Sequence, residues 1–457
     1  MHPSVQKRKK MHTRITRFCL SGCFAALLAA TPAAAQPEHA MSLHDCMAYA
    51  VSHSTRMRIR AAEAGDARLA RRDAVLAAFT PQVSASTYAY YNFGRSIDPQ
   101  TNTYFTQTSF HNNYSLSIGF NLFNGFEAVN NLRISRTGLL ISDSEEAQAE
   151  ADICLAVMEA YYNAVYYKRL ADICATQVGA AETALHKVRR QEELGQKGYA
   201  DVVQLEADLA ERQYDATNIR NQYDDQLMTL ADLMFWPTDE ALVIDTGLPD
   251  GADSAETADE VVAYALEHHP GLLAADGRAA NARRELATAR WSLLPSLGLY
   301  AGWSTSYYTY QGSRTNRFGE QFRNNGGEYV EVSLSIPIFG RLQKRSRIAK
   351  QRHALARATA ELDQKRRDVE SEVRRAMQDR DGAAAAWQQA ARKVRVQAEA
   401  YALNRKKLEQ GLISPLEFQT ADSNYRKAQA DEMHSLFAYR IKQAVVRYYN
   451  GEHYLEQ

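Results

Sequence analysis

The stretch Tyr114-Ser-Leu-Ser-Ile-Gly-Phe-Asn-Leu-Phe123 alternates residue by residue. Tyr114, Leu116, Ile118, Phe120 and Leu122 fall on one side, and Ser115, Ser117, Gly119 and Asn121 on the other. Period two over this length predicts a strand with one apolar face and one small or polar face. About 215 residues later the pattern returns: Val330, Val332, Leu334, Ile336 and Ile338 oppose Glu331, Ser333, Ser335 and Pro337. Upstream of each lies a looser alternation, with Val83, Ala85, Thr87, Ala89 and Tyr91 in one place and Leu297, Leu299, Ala301 and Trp303 in the other. Polar loops from Gly94 to Asn113 and from Thr305 to Gly327 separate the members of each pair, so each pair reads as an antiparallel hairpin with a long loop.

The surroundings of the two hairpins match as well, and a duplication at fixed spacing organises the whole chain. Met47-Ala-Tyr-Ala-Val51 before Ser52-His53 corresponds to Val262-Ala-Tyr-Ala-Leu266 before Glu267-His268. Each opens an Ala- and Arg-rich helical stretch that stops at Pro81 or Pro295, because proline lacks the N–H that a helix requires. After each hairpin a glycine, Gly125 or Gly340, leads into about 70 residues without proline and rich in helix formers. A helix of that length is about 100 Å long. It is interrupted at 194–198 and 410–415, after which a returning helix begins; along the first return Val202, Leu205, Leu209, Ala216, Ile219, Tyr223, Leu227, Leu230 and Met234 recur at threes and fours, as in a coiled-coil seam. The expected organisation is a first repeat over 36–236 with its hairpin at 82–124 and helix tip near 195–201, a linker at 237–255, and a second repeat over 256–457 with its hairpin at 296–339 and tip near 411–417.

Residues 1–35 read as an export signal, with a basic stretch, an apolar run from Phe18 to Ala30, and Ala33-Ala34-Ala35 before Gln36. Leu20-Ser-Gly-Cys23 also spells a lipidation site. The apolar run before Ser21 is short for that processing, which favours cleavage after Ala35 and leaves a lipid on Cys23 as the other option. The whole chain has balanced charge, with Lys and Arg totalling 54 against 54 for Asp and Glu, and this gives no indication of nucleic-acid binding. Beyond the signal no apolar run is long enough for a membrane-spanning helix. A membrane crossing would therefore use strands. Cys46, Cys154 and Cys174 are odd in number and suit no disulfide framework.

Strands of this length with an apolar and a polar face fit a transmembrane barrel, in which a closed sheet pairs every backbone group. Four strands cannot close one. Three subunits contributing four each would make twelve, and Tyr88, Tyr90, Tyr91, Phe93, Trp303, Tyr307 and Tyr308 near the strand ends would form the aromatic girdle. The competing readings of the same patterns are a soluble antiparallel sheet and a coiled-coil scaffold that only spaces two objects. No helical His pair for a metal, phosphate loop, Gly-x-Ser-x-Gly turn or Cys-x-x-Cys occurs, so no enzyme, cofactor or metal site is expected. His268-His269 beside Pro270 reads as a helix end. Glu331 lies on the polar strand face, where lumen water would solvate it.

On these features the chain resembles the TolC family of outer-membrane efflux channels over essentially its whole mature length. The resemblance rests on the twofold order of helix, hairpin and broken long helix, on Pro81 and Pro295, on Ser333-Leu-Ser-Ile-Pro-Ile-Phe-Gly340, and on Gly411-Leu-Ile-Ser-Pro-Leu-Glu417. It implies a mainly helical homotrimer: a twelve-stranded β-barrel in outer-membrane lipid, continued by a helical tunnel across the periplasm. It also implies docking through a periplasmic adaptor, a membrane fusion protein, onto an inner-membrane pump. That pump is of the resistance-nodulation-division type for small molecules and drugs, or of the ABC type for protein secretion. In the family the residue six positions after each tip glycine is typically acidic and lines the periplasmic entrance; the matching positions here are Asp201, after Gly195, and Glu417, after Gly411. Three copies would make a cation-attracting constriction. The plainer account of both acids is that they favour a helix start. Where some members carry a second acid this chain has Thr420, and Asp422 would face elsewhere. Gly195, Gly198 and Gly411 suit tight turns with positive φ. Leu412 and Ile413 are expected either to contact an adaptor or to pack within the hairpin.

Overall fold

The computed structural model describes residues 40–97, 101–106, 108–247, 257–310 and 317–456. The expected signal, the processing choices at Gln36 and Cys23, and positions 248–255 of the linker lie outside them. The first copy begins with two helices, α1 (Leu43–His53) and α2 (Thr55–Phe79), separated at Ser54, where the sequence suggested one continuous stretch. The Ser54 hydroxyl accepts from the Arg56 N–H at 3.1 Å, giving α2 its own N-cap. Strand β1 (Gln82–Asn92) follows, then a small hairpin of β2 (Arg95–Ile97) and β3 (Tyr104–Thr106), then β4 (Ser109–Phe123). Two long helices complete the copy, α3 (Glu127–Glu193) and α4 (Tyr199–Met234).

The second copy repeats this order. Helices α5 (Ala258–His268) and α6 (Pro270–Trp291) break at His269, the position matching Ser54. Strand β5 (Ser296–Tyr310), a short helix α7 (Phe318–Asn324), β6 (Gly327–Ser335) and the long helices α8 (Gln343–Glu409) and α9 (Pro415–Tyr449) follow. Both α3 and α8 contain 67 residues, about 100 Å at 1.5 Å per residue.

The four long strands form one antiparallel sheet in the order β1-β4-β5-β6. Its register aligns the faces across all four strands. Val83 and Ala85 stand beside Ile118 and Leu116, which stand beside Ala301 and Trp303; Ala301 and Leu299 meet Val330 and Val332, and Leu297 meets Leu334. The opposite face carries Ser84 bonded to Ser117 at 2.8 Å and Ser86 bonded to Ser115 at 2.7 Å. There the Tyr300 ring lies over Gly119 and Gly298 and the Tyr329 ring lies over Gly302, filling space that glycines leave on a pleated sheet. The apolar face is uncovered in one subunit: Val330 is 77% exposed and Leu334 63%.

Four details differ from the sequence reading. β4 and β5 run to 15 residues rather than about ten, because each is paired on both sides and extends into segments expected to be loop. β6 stops at Ser335, short of Ile336 and Ile338: Pro337 lacks an N–H and β5 begins only at Ser296, so no partner remains. A bulge between Asn121 and Phe123 inserts Leu122 as the extra residue and turns Phe123, not Leu122, toward the apolar side opposite Leu297. Tyr88, Tyr90 and Tyr308 belong to the serine-bearing face, since they share parity with Ser84, Ser86 and Ser306; Tyr91, Trp303 and Tyr307 do lie on the apolar face, whereas Phe93 follows the last strand residue.

Below the sheet, the core gathers Cys46, Met47 and Ala50 of α1 against Val157, Tyr161 and Val165 of α3 and Leu230 and Met234 of α4. Burial of each large apolar side chain there contributes about 1.5–3 kcal/mol. Cys46 and Cys154 sit in this core as thiols, their pKa pushed up to about 12 by burial, while Cys174 is half-buried. The linker closes over the same core: Met41 N–H donates to the Val243 carbonyl at 2.8 Å and the Tyr161 hydroxyl donates to the Asp245 carbonyl at 2.5 Å. A smaller core in the second copy joins Val261, Val262 and Ala265 to Val369, Val373 and Val446.

Candidate functional site

The two helix tips are built by the same backbone rule from different residues. At the first, Gly195 N–H donates to Glu192 O and Gln196 N–H to Gln191 O, both at 2.8 Å; at the second, Gly411 N–H donates to Leu408 O at 3.0 Å and Leu412 N–H to Lys407 O at 2.9 Å. This paired pattern is a Schellman turn, and it needs one left-handed residue. Gly195 supplies it at φ +70° and Gly411 at φ +71°. Gly198 does not: its φ is −87°, and it is the extended N-cap of α4, at the place Ser414 takes before α9. The expectation of a positive φ at Gly198 is therefore corrected, because the turn is complete after one left-handed residue.

Asp201 and Glu417 occupy the third position of their helices. The Asp201 carboxylate accepts from the Gly198 N–H at 3.3 Å and lies 4.0 Å from Lys197 Nζ. Glu417 accepts from the Ser414 N–H at 3.1 Å while the Ser414 hydroxyl accepts from the Glu417 N–H at 3.3 Å, a full capping box. Both acids thus serve a helix start, and Glu417 has no basic partner among the described residues. Leu412 is 68% exposed and Ile413 is half-buried, so the two expected contact residues are not equivalent. Leu194 and Tyr199 are exposed at the first tip and were missed. Their signal was present in the sequence: apolar side chains flanking a glycine-rich turn.

A few turns behind the tips a polar cluster joins the two copies. Arg212 of α4 donates to Asp208 at 2.8 Å and to Asp422 of α9 at 3.1 Å; Arg426 lies 3.3 Å from Asp422, and Gln419 donates to Asp208 at 3.0 Å. Burial opposes the Arg212 charge, but its bonds to Asp208 and Asp422 outweigh that cost and raise its pKa. Asp422 accordingly turns to Arg212, away from the direction of Glu417. Glu331 lies on the serine-bearing sheet face, opposite Tyr300, and is exposed.

The helix-end histidines follow the duplication. His53 stacks on Tyr49 at 3.9 Å and His268 on Tyr264 at 4.2 Å, each with Nδ1 at the carbonyl of that tyrosine. His269 is buried against Tyr449, and burial, reinforced by Lys365 and opposed by Asp152, pushes its pKa down to about 4. No cluster suited to a metal ion occurs among the described residues, and no helix there is long and apolar enough to cross a membrane.

A two-faced sheet carried on two helices of about 100 Å, each paired with a shorter returning helix, has the form of an outer-membrane channel subunit with a helical duct. The chain belongs to the outer membrane efflux protein family, which matches residues 52–234 and 261–450, one segment in each copy. It is 23% identical to the alkaline protease secretion protein AprF of Pseudomonas aeruginosa over 372 residues, 79% of this chain and 75% of that protein. Over 319 residues it is 23% identical to the outer membrane efflux protein BepC of Brucella suis, covering 68% of this chain and 62% of BepC. Among solved structures, the CmeC outer membrane channel of Campylobacter jejuni superposes with a TM-score of 0.74 at 13% identity, over 88% of this chain and 84% of that one. The open-state MtrE channel of Neisseria gonorrhoeae gives 0.70 at 17% identity, over 91% and 90%. The TolC-type fold expected from the sequence is thereby established, and with it an efflux role in the outer membrane, the helical duct lying in the periplasm.

Proposed function

We propose that three copies of this chain form a passive duct that receives small molecules from an inner-membrane pump through a periplasmic adaptor and releases them outside. The observation that carries the reading is the open sheet: β1 and β6 each have a free edge among the described residues, and an unpaired edge in lipid is costly. With four strands per subunit, an antiparallel β6-to-β1 joint closes three subunits into twelve strands. Exposed Val396 and Leu403 on α8 support the same assembly, since they need a neighbour to cover them. The duct performs no reaction of its own; the pump supplies the energy and most of the substrate choice. The organisation follows the duplication, with one repeat over 36–236 and the other over 256–457, linked through 237–255. Glu331 faces the lumen, Asp201 and Glu417 line the periplasmic entrance, and the turns at Gly195, Gly198 and Gly411 with Leu412 and Ile413 meet the adaptor.

The likeness to AprF favours a second reading, protein secretion behind an ABC transporter. A photo-crosslinking residue at Leu412, irradiated in living cells, separates the two. Capture of an adaptor from a proton-driven pump supports small-molecule efflux, and an adaptor from an ABC system supports secretion. An assembled trimer that captures no adaptor removes the docking role of the tip. For the entrance, Glu417→Ala is expected to weaken block by trivalent cations about tenfold in single-channel recordings, the loss of one charge per subunit at a shared constriction. Unchanged block rejects the acidic ring and leaves Glu417 as a helix cap.

A further inference from the structure

The junction between sheet and long helix in the second copy carries a charge pattern that the first copy lacks. After β6 ends at Ser335, Ile338 is 93% exposed and Phe339 79%. Arg341, Lys344, Arg345, Arg347, Lys350 and Arg352 then follow, with no Asp or Glu from Gly340 to Ala360. The matching start of α3 carries Glu127, Arg133 and Arg136. Lys344 donates to the Ser292 carbonyl; the other five basic residues are exposed, and none is ion-paired among the described residues. Local folding does not ask for them, because the N-terminal end of a helix disfavours positive charge. Their height does suggest a partner: Lys350 is only about 12 Å along the axis from Leu342, so the charges begin where the apolar face of the sheet ends.

We propose that this basic opening of α8 binds the phosphate groups of anionic phospholipids in the periplasmic leaflet of the outer membrane, anchoring the barrel at a fixed depth. A polybasic segment beside an apolar band is suited to such headgroups. The proposal rests on the membrane placement of the sheet.

The test uses the full chain reconstituted in vesicles that contain spin-labelled phosphatidylglycerol or spin-labelled phosphatidylcholine, and reads the motionally restricted lipid by electron paramagnetic resonance. The wild type should prefer phosphatidylglycerol by roughly fivefold or more, a preference that about 0.5 M salt reduces, on the scale expected for basic residues near an anionic surface. The variant Arg345→Gln/Arg347→Gln/Lys350→Gln/Arg352→Gln should bring the ratio near one, while Arg133→Gln/Arg136→Gln should keep it. An equal ratio for the wild type, a preference indifferent to salt, or a preference retained in the fourfold variant each overturns the proposal. If the fourfold variant loses the trimer, the wild-type salt dependence and the single variant Arg345→Gln decide it. A wild-type protein that restricts no lipid at all rejects the membrane placement instead.

Discussion

The two copies of the repeat reach nearly the same backbone by different chemistry, and the differences mark where each copy is specialised. At the turn from sheet to long helix, the first copy uses Gly125 and Phe126 at φ +67° and +60°, while the second uses Arg341 and Leu342 at φ +48° and +62°. The left-handed pair is therefore the shared requirement, and Gly340, which the sequence repeat pairs with Gly125, is one residue out of step. At the break between the first two helices of each copy, the upper break, Ser54 in the first copy is replaced by His269 in the second. In the outer loops, the first copy inserts the β2-β3 hairpin and the second inserts α7. There Gln321 brackets Tyr308, accepting from its N–H at 3.0 Å and donating to its carbonyl at 2.9 Å, which occupies the edge of β5 beyond the end of β6. The cores differ too: Tyr161 and Tyr162 of α3 match Ala376 and Met377 of α8, so the first copy packs the larger core.

The largest test of the shared plan is to place a charge on the apolar face of each copy. Ile118→Asp and Leu334→Asp should both prevent membrane assembly, at about 2–3 kcal/mol per subunit in each of three subunits. Heat-modifiable migration of the trimer reads the result, and a copy that tolerates its substitution does not share the lipid-facing assignment. A smaller effect separates the upper breaks. Because burial lowers the folded pKa of His269 to about 4 from an ordinary 6.5, its stabilising contribution is complete above pH 6.5 and is lost as the pH falls toward 4, on the order of 3 kcal/mol per subunit. His269→Ser, the first copy's residue, should flatten the loss of thermal stability across that window; an unchanged acid limb would assign it to other groups.

The smallest contrast concerns the turns. A Cβ on Gly125 would stand 2.5 Å from the Trp291 carbonyl oxygen at a positive φ, whereas one on Gly340 meets open space. Gly125→Ala is expected to cost about 2 kcal/mol and Gly340→Ala no more than about 0.5 kcal/mol. Equal effects in denaturant titration would mean that the two turns are not the distinct structures described above.

Much of the architecture was legible because strand and helix periodicities are local. Ser115, Ser117, Glu331 and Ser333 alternate with apolar neighbours whatever surrounds them, and the coiled-coil seam of α4 is buried or half-buried at Val202, Leu205, Tyr223, Leu230 and Met234 as its spacing required. The tips were legible in part. Glycine at Gly195 and Gly411 signals a left-handed residue, but Gly198 carries the same letter for a different reason, as an N-cap, and only the backbone angles separate the two uses.

The two-faced strands, the long helices and the glycine turns could be read from the chain because each depends on residues close together, and the duplication because the same local pattern is written twice. Tertiary structure decided what depends on partners far apart. The pairing of β4 with β5 lengthened both strands, and the lack of a partner beyond Ser296 ended β6 early. Asp422 found Arg212 some 210 positions away, which no periodicity encodes. His269 is a buried ring because Tyr448 and Tyr449, from α9, pack against it.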